Sequence, residues 1–265
     1  ILERGGGGLR DWLVRRYREL KDKTPHTTAV GQALVALVAE AGIAPVKQVG
    51  LRVAEAEGAI WLDLGNAAFE AVRVTRDGWT VTTDLPDTLR FRRPNGMRPL
   101  PRPERGAGSL LELRGFVNPA EDPGGFVLLV AWLLAALRPG YPFPVLALVG
   151  EQGTGKSTLA RILRLLVDPS GDGGVGLTRP PRDDRDLFAI AGNTHVIALD
   201  NLTSIPPELS DSLSALATGA GLQARRLYSD ADLTATYARR PIIVNGIGTS
   251  GSDIAARPDL LDRAI

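Results

Sequence analysis

The sequence predicts an α/β fold: a mainly parallel sheet with flanking helices, preceded by a smaller module that is helical and then β-rich. Three observations predict it. From residue 145 onward, apolar runs of strand length alternate with stretches of helical spacing, the order that builds a parallel sheet covered by helices. Between residues 49 and 91 the apolar period shortens to that of strands, broken by two glycine-containing turns. One glycine-rich stretch, 150–157, sits between a strand-like run and a helix-like run.

Composition sets the outer bounds. The chain has 265 residues, a formal net charge of +1 and 44% apolar residues, enough for a sizeable core in one large or two modest domains. It has no cysteine, which excludes disulfides and cysteine-based zinc sites, and His26 and His195 are too few for a multi-histidine metal centre. No signal-peptide pattern is present, and with the lack of cysteine the expected compartment is the cytoplasm. The chain starts on Ile and stops in an apolar, helix-like stretch, so both ends read as cut. The expected division is 1–105 for the N-terminal module and 106–265 for the core, the latter truncated at its C-terminus.

Taken in order, residues 5–8 are a glycine lead-in. Residues 9–23 place Leu9, Trp12, Leu13, Tyr17 and Leu20 at helical spacing, with Arg10, Arg15, Arg16 and Arg18 opposite. That basic face is either solvated or a nucleic-acid contact. A second helix spans 27–41, capped by Thr27 or Thr28 and stopped by Gly42. Hairpins are expected around Glu57 and Gly58 and around Asp77 and Gly78. Residues 90–105 carry Arg90, Arg92, Arg93, Arg98, Arg102 and Arg105 against one acid, Glu104. This window reads either as an extended linker or as a phosphate-backbone contact. Helices follow at 109–116 and 126–137. The second, FVLLVAWLLAAL, is uncharged but far short of the ~20 residues needed to cross a bilayer, so it reads as a buried helix on the sheet and no membrane is expected.

The core then runs strand 145–149, helix 156–167, a glycine-rich loop 171–176, helix 183–191, strand 195–199, helix 208–217 and strand 240–244. The stretch GEQGTGKS at 150–157 reads G-x-x-x-x-G-K-[ST], a phosphate-binding loop. Its glycines let backbone N–H groups converge on a phosphate, and the helix N-terminus adds partial positive charge. Gly150, Glu151, Gln152, Gly153, Thr154, Gly155, Lys156, Ser157 and Thr158 would line the nucleotide, ATP. Lys156 would reach the terminal phosphates, and Ser157 would hold Mg²⁺. Composition supports a special place for Lys156. Of 31 basic residues only Lys21, Lys23, Lys47 and Lys156 are lysines, and a compact ammonium suits a phosphate cradle better than a guanidinium.

Four further groups carry chemistry. The apolar strand VIALD ends on Asp200, the position of a Mg²⁺-associated acid. Asn201 follows, where a second acid would polarise the attacking water; an amide orients water but cannot take its proton. The strand PIIVN ends on Asn245, which would reach the terminal phosphate or the water, open an Asn-Gly turn, or do both. Residues 219–237 put Arg225, Arg226 and Tyr228 around a turn at Ser229 and Asp230. That hairpin either grips nucleic acid or is an ordinary surface hairpin. Arg263, with Arg257 as second choice, is a candidate for an arginine that would complete a neighbouring subunit's site.

The order of GEQGTGKST, VIALDN, TGAGLQARRLYSD, PIIVNG and PDLLDR resembles the AAA+ P-loop ATPases. Among them it is most similar to superfamily 3 helicases and the virulence-associated protein E-like ATPases of phages and mobile elements. The resemblance covers roughly 141–265. It implies a helicase-like replication ATPase that uses ATP and Mg²⁺, acts on single-stranded or duplex DNA, and assembles as a homo-oligomeric ring, in the pattern of a hexamer. It assigns DNA contact to Arg225 or Arg226, the sensor role to Asn245 and a role across the ring interface to Arg263. Asn201 departs from the usual paired acids. The alternatives are a nucleotide-gated switch with little hydrolysis, and a small-molecule kinase, which leaves Asn245, the hairpin and Arg263 without work.

Overall fold

A computed structural model describes residues 8–106, 108–117, 123–171, 176–202, 204–219, 222–225, 233–236, 239–247, 260 and 262–265. The chain divides into two compact units, Ile1–Lys47 and Gln48–Ile265. The first contains α1 (Leu9–Lys21) and α2 (Thr27–Ile43). The expected threonine cap of α2 is not made: His26 is the N-cap, without a side-chain bond, and the helix runs through Gly42. It stops at Ala44, which adopts the extended conformation favoured before a proline, here Pro45.

The second unit opens with the β-rich part: β1 (Gln48–Gly50), β2 (Val53–Ala56), β3 (Ala59–Asp63), β4 (Ala71–Thr75), β5 (Gly78–Thr82) and β6 (Leu89–Phe91). Strands β2 to β5 form an antiparallel meander, while β1 pairs with β6 in parallel. Glu57 and Gly58, at φ 51 and 69, form the two-residue loop between β2 and β3, the left-handed pair a tight hairpin favours. The second hairpin turns on Arg76 and Asp77, because Thr75 pairs directly with Gly78.

Each face of the meander is covered. Trp61, Ala54, Ala59, Ala71 and Leu89 pack on one side; Val72, Leu64 and Leu100 pack on the other, with Trp79 and Val81 against them. Leu100 comes from the arginine-rich window, whose arginines are engaged by the protein. Arg93 binds both carboxylate oxygens of Asp63, at 2.9 and 2.5 Å. Arg105 lies over the Trp79 ring, 4.9 Å from its centroid, and Arg102 pairs with Glu70 at 3.3 Å. Arg90 donates to Pro86 O at 3.1 Å, Arg98 to Gly171 O at 3.1 Å and Arg92 to Asn193 Oδ1 at 2.8 Å. The window is therefore a strap tied along its length to protein groups, with Arg90, Arg98, Arg102 and Arg105 still exposed to solvent.

The core follows as a short 3-10 helix (Leu110–Gly115), α3 (Pro123–Ala136), β7 (Val145–Gly150), α4 (Lys156–Val167), α5 (Asp184–Asn193), β8 (Ile197–Leu202), α6 (Pro207–Thr218), β9 (Leu222–Arg225), β10 (Leu233–Thr236) and β11 (Ile242–Ile247). Strands β7, β11 and β8 lie in that order and run parallel. Single bridges extend the sheet on both sides, Ala264 beside Val145 and Thr178 beside Leu199. β9 and β10 pair as an antiparallel hairpin, as expected for 219–237.

Strand alternation builds three layers. Leu146, Leu148, Ala198 and Ile243 face α3 and α4 through Phe126, Leu129, Trp132, Ala160, Leu163 and Val167. Val145, Ile197, Leu199, Ile242 and Val244 face α5 and α6 through Leu187, Ala191, Leu213, Leu216 and Ala217. The buried α4 residues, Ala160, Leu163, Arg164 and Val167, recur at i, i+3, i+4 and i+7, so one stripe of that helix is turned inward. The apolar segment 126–137 is the sheet-covering helix the sequence predicted, and among the described residues no helix is long and apolar enough to cross a membrane.

Candidate functional site

The stretch 150–157 links the C-terminal end of β7 to the N-terminus of α4. Gly153 and Gly155 take φ 86 and 84, a left-handed conformation that glycine adopts without a Cβ penalty. Gly155 is the N-cap of α4 and no side chain caps the helix, so its first N–H groups are left to the loop side. Lys156 bends back over the loop: Nζ donates to Gly150 O at 2.8 Å and Glu151 O at 2.5 Å, and lies 3.3 Å from Thr154 Oγ1. Thr154 Oγ1 itself donates to Glu151 O at 2.9 Å. Glu151, Gln152, Gly153, Thr154, Gly155 and Thr158 are exposed, while Gly150, Lys156 and Ser157 are half-buried.

Three parallel strands deliver the remaining groups to the same edge. Ser157 Oγ donates to Asp200 Oδ1 at 2.9 Å. The Asn245 amide donates to Ser157 Oγ at 2.8 Å and also to Asp200 Oδ1. Asn245, opposite Leu148 in register, is buried in the strand between those bearing the loop and Asp200. Asp200 is held from its other side by the chain at Thr178, whose carbonyl accepts its N–H at 2.9 Å.

The ladder between β8 and β11 slips here. Val244 pairs with Leu199 and Gly246 with Leu202, so two β8 residues, Asp200 and Asn201, oppose Asn245 alone. This is a β-bulge, a device that re-aims side chains near functional sites. Asn201 absorbs it at φ 59, in the left-handed region that asparagine tolerates better than most residues, and its side chain is exposed.

Not every predicted residue joins this cluster. The Arg263 carbonyl accepts the Val145 N–H at 2.8 Å, which places its main chain at the far end of β7 from Gly150. Arg225 ends β9; Arg226, Tyr228 and the expected turn at Ser229 and Asp230 lie outside the described residues, as do Arg257, 172–175 of the glycine-rich loop and residues 5–7 of the lead-in.

Oxygen donors from Ser157 and Asp200, side by side beneath an uncapped helix start, are the hard ligands that Mg²⁺ takes in company with phosphate oxygens. Among the described residues no group of three or more His, Asp or Glu forms a self-sufficient metal cage.

Comparison with known protein families matches residues 108–265, more than half of the chain, to the actinomycete integrative conjugative element replication proteins. The chain belongs to that family. The replication-protein match takes in every candidate site residue from Gly150 to Arg263 and leaves the β-rich part outside it. No curated protein sequence matches the chain. A solved structure described as "SCCmec type IV Cch - active helicase" is similar with a TM-score of 0.47 and 15% identity, over 97% of this chain and 48% of that one. The chain thus spans about half the length of that protein.

Sequence reasoning missed one cluster of buried charged groups. Below the site, Asp168, Arg52, Arg164 and His195 are all buried. Burial by itself would raise the Asp168 carboxyl, but the Arg164 guanidinium, followed by His195, Arg52 and the Val196 N–H, holds it below the usual range. Burial pushes His195 down to about 4, against the pull of Asp168 and of the Ala136 carbonyl. Burial likewise lowers Arg164, and takes Arg240 to about 10, with Asp168 opposing in both cases. One signal was available. Asp168 follows α4 directly, and an acid at a helix C-terminus opposes the helix dipole, so it needs a specific partner.

Proposed function

We propose that this chain is an AAA+-like ATPase core of a replication protein, binding ATP with Mg²⁺ and acting on DNA as part of a helicase-like motor. The observation that carries the reading is the convergence of Ser157, Asp200 and Asn245 beside the glycine loop at one edge of a parallel sheet. In such sheets ligands bind at the C-terminal ends of the strands. The strand order supports it too, since β11 stands between β7 and β8 and so sets Asn245 between the loop and the acid.

Each residue has a definable task. The N–H groups of the loop and of the first turn of α4 would cradle the phosphates, and Lys156 would exchange its loop carbonyls for phosphate oxygens. Ser157 and Asp200 would hold Mg²⁺, which when bound neutralises charge on the β- and γ-phosphates. Asn245, with an amide already fixed by two partners, would orient the attacking water or a γ-phosphate oxygen. Arg263, remote from its own chain's site, is suited to serve a neighbour in a ring. Arg225, Arg226 and Tyr228, from the stretch of sequence that includes β9 and β10, would contact DNA. A cytoplasmic, non-membrane setting fits this work.

ATP turnover of the whole chain, measured with and without single-stranded DNA at low salt, tests the reading. Stimulation by DNA is expected. DNA that neither binds nor changes turnover would remove the motor.

One observation favours a second reading, a nucleotide-gated switch. Asn201 is exposed at the bulge and cannot accept a proton from water. Tight ATP binding with negligible turnover, even with DNA and at high protein concentration, would select it.

A further inference from the structure

We infer that Arg52, from the β-rich part outside the family match, is a positioning residue for the Ser157–Asp200 pair. This rests on reading the 150–157 loop as the nucleotide site. Asp168 is the first residue beyond α4, with its N–H on Arg164 O at 2.8 Å. Its Oδ2 accepts the N–H groups of His195 and Val196, at 2.8 and 3.1 Å, immediately before β8. One buried carboxylate therefore ties the base of α4 to the base of β8. The far end of α4 bears Ser157, and Asp200 lies three residues further along β8 from Ile197.

Arg52 holds that carboxylate from the other side. Its Nε donates to Asp168 Oδ1 at 3.1 Å, and the guanidinium is fully buried. The other nitrogens donate to Asp63 O at 3.0 Å, Arg98 O at 2.7 Å and Pro169 O at 3.4 Å. The strap runs alongside. Arg98 N donates to Pro169 O at 2.9 Å, Gly171 N donates to Gly96 O at 2.8 Å, and Met97 bridges Ser170. Residues 168–171 are thus gripped by the β-rich part and its strap.

Leverage makes the link consequential. The 12 residues of α4 span about 18 Å, so a tilt of roughly 3° at Asp168 moves Ser157 by about 1 Å. A displacement of that size is enough to cost about 100-fold where geometry matters. Lysine at position 52 could not reach one carboxylate and three carbonyls together, because it lacks the planar fork.

The test is ATP affinity of the full wild-type chain and of Arg52→Lys, each with Mg²⁺ and with EDTA. The variant is expected to bind ATP in EDTA within about threefold of wild type, and to lose about tenfold or more of the gain that Mg²⁺ brings. A merely structural role would leave the Mg²⁺ gain of the folded protein intact, and that result overturns the proposal. If wild type binds no ATP in either buffer, the nucleotide-site reading fails and this proposal falls with it. Hydrogen exchange on wild type provides a test that needs no variant. ATP with Mg²⁺, compared with ATP in EDTA, should slow exchange in 50–65 and 96–100. Unchanged exchange there also overturns the link.

Discussion

The Ser157 hydroxyl donates to the Asp200 carboxylate at 2.9 Å, although 43 residues separate the two in sequence. Asn245 closes the triangle by donating to both. The geometry of the pair therefore depends on a third side chain that carries no charge.

Asn245→Ala removes that third corner. On the proposed reading the expected outcome is ATP affinity within about tenfold of wild type, with turnover lower by about 100-fold, because the loop would still hold phosphate while the reacting groups would lose their alignment. Steady-state turnover and equilibrium binding on the same preparation check the split. An equal loss in both would make Asn245 a binding residue instead.

Asn201→Glu supplies the missing proton acceptor at an exposed position. A positioned general base contributes about 10²–10⁴-fold, so turnover should rise while ATP affinity changes little. The backbone at φ 59 is less comfortable for glutamate, and a small loss of thermal stability should accompany the gain. Unchanged turnover would show that proton acceptance at this position does not limit the rate.

Acid should destabilise the fold through His195. Its folded-state pKa is about 4, below the roughly 6.5 of an unfolded histidine, so the unfolded chain binds more protons between those values. The stabilisation is complete above about pH 6.5 and is lost as pH falls towards 4, by up to about 3 kcal/mol. Asp168, also lowered, loses its share below the usual aspartate range. Urea midpoints at pH 7 and pH 4.5 for wild type and His195→Gln measure the histidine part. The variant should show the shallower decline. Equal slopes would contradict the buried neutral histidine.

The sequence made the site legible because its chemistry is local. A strand, a glycine turn and a helix start bracket Lys156, and apolar runs that end on Asp200 and Asn245 are visible without tertiary information. The structure pairs the Asn245 strand directly with the Asp200 strand. The bulge at Asp200 and Asn201 was not legible in the motifs, since it appears only in the register against Val244 and Gly246. The role of 90–105 was also hidden: composition counts arginines but does not show that Arg93 meets Asp63 or that Arg105 meets Trp79. Arg52 sits in an ordinary strand pattern, and its partner Asp168 lies 116 residues away. Such a pair becomes visible only once the strap brings the two parts together.

Central to this account is a phosphate-binding role for Lys156 in the 150–157 loop. Equilibrium binding of ATP with Mg²⁺ to the whole chain, wild type beside Lys156→Ala, tests it most directly. A charge-assisted hydrogen bond is worth about 1.5–3 kcal/mol, so the variant should bind roughly 10- to 100-fold more weakly while its melting temperature stays near that of wild type. Equal affinity in the two proteins, or no ATP binding by wild type, would contradict the account.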